Sequence, residues 1–129
     1  MKASASVLFL AAALAGSAAY ADCTYPQAPN KFPDGNTATL QDMLTAQQTV
    51  KQFDHAIKAY TDCLKLEHDT AVSKLDPSGD KKKVKAQKSE LDNMWAKKND
   101  AAVDQDTAVT NRFNEQVRIY KAKAAKGKS

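Results

Sequence analysis

The sequence predicts an all-α fold: an antiparallel hairpin of two long helices with an extended N-terminal arm pinned by a disulfide. Three observations carry this. Apolar residues recur with a heptad period from residue 39 onward, one strong break interrupts that pattern, and two cysteines sit forty positions apart. Residues 22–38 form the arm, 39–75 the first helix, 76–80 the turn, 81–125 the second helix and 126–129 a disordered tail.

In the first helix Met43, Val50, Ile57, Leu64 and Ala71 recur every seven residues, and Ala46, Phe53 and Tyr60 fill the slot three residues after the first three. A seam spaced three and four apart stays on one side of a helix and asks for a facing helix. Thr39 is placed to cap the first turn, with Asp42 three residues on as the return half of a capping box. The seam decays at Glu67 and Lys74, where its second slot carries charge.

The stretch Leu75-Asp76-Pro77-Ser78-Gly79-Asp80 then ends the helix. Proline disfavours helix in the residue before it, and Asp, Ser and Gly around it supply turn chemistry. Beyond it a second stripe, Val84, Leu91, Trp95, Ala102, Val109, Phe113, Val117 and Tyr120, is spaced by three, four or seven. No proline follows Gly79, so one continuous helix is the simplest reading. Asn99 or Asp100 could instead cap a third. Folding about Ser78 pairs Leu64 with Leu91, Tyr60 with Trp95, Phe53 with Ala102 and Met43 with Phe113.

The arm holds Cys23, Tyr25, Pro26, Pro29, Phe32 and the Pro33-Asp34-Gly35 turn, with no helical or strand period. Cys63 lies about 36 Å along the first helix from Thr39 at 1.5 Å per residue. Sixteen residues of extended arm reach about 50 Å. The arm can therefore turn, run back along the first helix and bond to Cys63; two free thiols or an intermolecular bridge are the alternatives. Closing a loop of this length is worth about 4 kcal/mol in the chain-entropy model.

The first 21 residues read as a secretory leader: a positive Met1-Lys2 start, the apolar run Val7 to Ala15, and Ala19-Tyr20-Ala21 before the cleavage point. The run is too short to span a membrane. Ser17 stands where a lipobox would need cysteine, so a lipoprotein is excluded. The expectation is an exported protein, periplasmic or secreted, with no transmembrane segment in the mature chain. Removing the leader takes Lys2 with it and lowers the formal net charge from +4 to +3. So mild an excess does not imply specific nucleic-acid binding. In an exported chain two cysteines are expected to pair.

Motifs for chemistry are sparse. His55 and His68 point to different faces of one helix, and no nucleophile stands where a triad would need it. Asp100, Asp104 and Asp106 lack the glycine and glutamate of a calcium loop and read as a solvated face. The expectation is a non-enzyme with no cofactor and no metal. Lys81, Lys82, Lys83, Lys85 and Lys88 crowd the start of the second helix, where the helix dipole disfavours cations. They are candidate anion-binding residues for phosphate, lipid headgroups or acidic polymer. The other candidate surface is the helix seam itself: Met43, Val50, Phe53, Ile57, Tyr60, Leu64, Leu91, Trp95, Val109, Phe113, Val117 and Tyr120. Off that seam, Leu44, Leu66, Val72 and Val103 suggest a second apolar surface.

The segments PDGNTATLQDMLTAQQTVKQF and AYTDCL, behind an early Cys and prolines, together with NRFNEQVRIYKA (Asn111 to Ala122), resemble a group of small exported proteobacterial proteins. The resemblance spans about two-thirds of the mature chain. Its motifs are structural, and it implies a periplasmic helical hairpin with a disulfide. The functional expectation is a helical interaction module for a protein partner or for a second copy of itself (a homodimer). The alternatives are binding of anionic envelope components at the lysine-rich tip, and a holdase-type chaperone.

Overall fold

The computed structural model describes residues 23–127. The expected leader (1–21) and the last two residues of the expected tail lie outside them. Two helices carry the fold, α1 (Leu40–Ser73) and α2 (Lys81–Lys126), with no strand among the described residues. They pack side by side as an antiparallel hairpin.

Helix α1 begins where its capping chemistry places it. The Thr39 hydroxyl accepts from the Asp42 amide at 3.1 Å, and the Asp42 carboxylate accepts from the Thr39 amide at 2.9 Å. Both halves of the box form, and they satisfy two donors that a helix start leaves open. The carboxyl of Asp42 is held below its ordinary range by those Thr39 bonds. At the far end α1 stops at Ser73, and the loop closes with the Ser78 amide and hydroxyl donating to Asp76. Asp80 caps α2 by accepting from the Lys83 amide at 2.9 Å. Helix α2 then runs unbroken through Asn99 and Asp100, so the three-helix alternative does not occur.

The core is the predicted seam. Met43, Ala46, Val50, Phe53, Ile57, Tyr60 and Leu64 of α1 are buried against Ala102, Val109 and Phe113 of α2, with Val117 and Tyr120 packed beside them. Ala102 is fully buried, so α1 approaches closely at that level. The expected pairing needs correction. The Phe53–Ala102 pairing would set residue 54 opposite 101, but Asp54 lies beside Asp106. The Leu64–Leu91 pairing would set residue 68 opposite 87, but His68 bonds Asp92. The helices are slid by five residues, about 7.5 Å. Gly79 folds back on the first turn of α2, where a Cβ placed on it would lie 3.5 Å from Val84 Cγ2. Trp95 consequently packs on His68, with ring centroids 5.6 Å apart, and Tyr60 meets Tyr25 of the arm instead.

The arm is a strap over the groove between the helices. Its turn lies at Gly35–Thr37, where the Asp34 carbonyl accepts from the amides of Thr37 and Ala38. Gly35 is buried on α2, its amide donating to Gln116 Oε1 at 2.9 Å. A Cβ here would collide with the Gln116 carbonyl and lie 2.8 Å from the Tyr120 nitrogen. Both are backbone atoms that cannot swing away, so only glycine fits. Phe32 then packs on Phe113 at 6.0 Å, with the Arg112 guanidinium over its ring at 5.1 Å. Arg112 also donates to the Asn30 carbonyl. The chain crosses to α1, where Pro26 to Asn30 lie over Thr49, Gln52, Phe53 and Ala56. It ends at the Cys23–Cys63 disulfide, with Cα atoms 5.8 Å apart. The expected strap therefore exists, and it clasps α2 as well as α1.

Candidate functional site: the uncovered groove of the hairpin tip

Beyond Cys63 the arm no longer covers the helices. Leu64, Glu67, His68 and Ala71 of α1 and Leu91, Met94, Trp95 and Lys98 of α2 line an open groove of about 170 Å³. No residue between 65 and 101 is fully buried. The predicted seam members Leu91 and Trp95 are here, half-buried, while Met94 at the rim is 50% exposed. The Trp95 indole nitrogen is buried without a hydrogen-bond partner. Burying an unpaired donor costs about 1–3 kcal/mol.

His68 ties the groove together. Its Nε2 lies 2.7 Å from Asp92 Oδ1 across the helix pair, and its Nδ1 lies 3.2 Å from Asp69 Oδ1. A doubly protonated ring can donate to both carboxylates, and a singly protonated one to one of them. Lys88 and then His68 hold the Asp92 carboxyl low, and Lys65 and then His68 do the same for Asp69. This cross-helix tie was not legible in the sequence, because it depends on the five-residue slide.

Two to three turns from the groove, Asp106 faces Asp54. Burial, and then the Asp54 charge, push the Asp106 carboxyl above its ordinary range, and its Oδ1 has no partner. Asp100 and Asp104 are exposed and point elsewhere. The sulfurs of Cys23 and Cys63 with a Glu67 oxygen form the one tight metal-type triplet among the described residues. Those sulfurs are bonded to each other, and Glu67 Oε1 accepts from the Cys23 amide at 3.2 Å. The triplet is the strap's anchor.

The candidate anion-binding lysines Lys81, Lys82, Lys83, Lys85 and Lys88 are all exposed around the start of α2. Lys88 is paired with Asp92 at 2.7 Å. The Asp80 carboxylate already sits at the helix N-terminus, in the place an anion would take. Of the off-seam apolar residues, Leu44, Leu66 and Val103 are exposed and Val72 is half-buried. They do not form one face with the groove: Val103 follows Met94 by nine residues, half a turn around α2.

Comparison of the chain with protein-family models, with curated proteins and with solved structures finds no match. Among the described residues no helix is long and apolar enough to cross a membrane.

Proposed function

We propose that the chain is a non-enzymatic helical interaction module, exported to the periplasm or beyond, whose working surface is the uncovered groove of the tip. One observation carries this reading. The same inter-helix groove is filled by the arm at one end and left open at the other, where Leu91 and Trp95 are half-covered and Met94 is half-exposed. Apolar surface of this kind, rimmed by Glu67, His68 and Lys98, is suited to receive another chain. A disulfide spanning forty residues fits an oxidising compartment. His68 is engaged by Asp92, Asp69 and Trp95, which favours a structural role over acid–base work.

The chain holds a single tryptophan, and it lies in the groove. Its emission reads occupancy directly. The disulfide-intact protein, titrated with partners captured from an envelope extract, should shift its Trp95 emission to shorter wavelength on saturation. Captured proteins that leave Trp95 emission unchanged, or that bind a Met94→Glu variant equally well, would remove the groove as the working surface.

A further inference from the structure

We infer that the partner fitting this groove is a second copy of the chain, docked with its α2 antiparallel across ours and the two-fold axis passing beside Met94. This rests on the interaction reading and names its partner. The side of α2 in question is fixed by the arm, which touches α2 at Arg112, Gln116 and Ile119. Arg112 and Met94 are eighteen residues apart, five whole helical turns. Met94 therefore lies on the arm's side of α2, past the arm's end. Exposed Lys83, Glu90 and Lys98 share that side, and Asp104 lies at its edge.

The order of charge along this face selects the occupant. In an antiparallel α2 pair centred on Met94, residues equidistant from it face each other. Glu90 then meets Lys98 of the second copy four residues either side, and Lys83 meets Asp104 ten to eleven residues either side. Two-fold symmetry makes each pair twice, giving four opposite-charge contacts around paired methionines. A parallel pair would set Lys83 on Lys83 and Glu90 on Glu90, which the repulsion of like charges disfavours. Methionine at the axis suits a self-complementary contact because its flexible thioether adapts to its own image. Across the same axis α1 lies over α1, the two grooves (Leu64 to Ala71 with Leu91 to Lys98) face each other, and each tip reaches over the start of the other copy's arm near Cys23 and Tyr25. The face runs from residue 83 to 105, about 33 Å, across a hairpin about 20 Å wide. That is of the order of the ~800 Å² per partner that stable interfaces bury.

The test is sedimentation of the oxidised full mature chain from low to high micromolar concentration, at two salt levels. Wild type should dimerise at the upper end, and more weakly in high salt. Glu90→Lys and Lys98→Glu should each raise the dimer Kd by about tenfold or more through two new like-charge contacts. The two combined should restore it. Both positions are exposed, so an unchanged helical circular-dichroism spectrum verifies that each variant folds. A strict monomer at high micromolar concentration overturns the inference, as does a dimer that the single swaps leave intact or the double swap fails to rescue. A strict monomer whose Trp95 emission still shifts with a captured partner leaves the interaction reading standing, so the two failures are distinguishable.

Discussion

The two halves of this hairpin use the same pair of helices, but only one half has a third layer. Toward the chain ends, the arm lays Tyr25, Ala28 and Phe32 over the groove and closes it, and Phe53, Val109 and Phe113 are buried beneath. Toward the tip nothing covers the groove, and Leu91 and Trp95 stay half-open although they continue the same stripe. Two helices alone cannot enclose a core, because each shields only one side of the other. An apolar stripe thus predicts burial only where a third segment exists to complete it.

The strongest way to break the comparison is to cut the strap. Cys23→Ser, or reduction of the wild type, should cost about 4 kcal/mol by restoring the entropy of the open loop. Thermal melts of the two should coincide, and the loss should fall on the strapped half. Next come matched core truncations. Phe113→Ala should cost about 3–5 kcal/mol, as expected for a buried ring. Trp95→Ala, although it removes a larger side chain, should cost only about 1–2 kcal/mol because its site is half-open. Denaturant titration of both variants checks the order, and a Trp95 loss as large as that of Phe113 would show the tip to be as well packed as the strapped half.

Gly35→Ala should cost about 1–3 kcal/mol, since the new methyl meets α2 backbone and must lift the turn. Its mark is lost amide protection at Gly35–Thr37 with the α1 seam unaffected. The smallest effect concerns Asp106. Its folded pKa is raised above the unfolded value by burial and then by Asp54. The carboxyl's favourable contribution is therefore present at acid pH and lost as pH rises through the folded pKa. Asp106→Asn should raise the melting temperature modestly at neutral pH, with the gain vanishing below the ordinary carboxylate range.

Much of the fold was legible because its signals are local. The Thr39–Asp42 box, the Asp76–Asp80 turn and the heptads through Met43, Val50, Ile57 and Leu64 each act within a few residues. The distance argument for Cys23 and Cys63 needed only chain lengths. What escaped depends on register and on one close approach. α1 sits five residues along α2 from the expected register, which no heptad count reveals; that offset removes the Trp95–Tyr60 pairing and brings His68 to Asp92. The arm's grip on α2 left a single trace in the sequence. Gly35 follows Pro33-Asp34, and its lack of a side chain reads as turn chemistry rather than as contact with Gln116 and Tyr120.

The most direct measurement is amide hydrogen exchange on dilute, monomeric protein, oxidised and reduced. Oxidised protein should protect residues 43–63 and 102–120 far more strongly than 65–73 and 84–98. Reduction should bring the strapped half down toward the tip and leave the tip nearly unchanged. Uniform protection along both helices, or a gradient indifferent to reduction, would contradict the account that the arm, fastened at Cys63, is what completes the core.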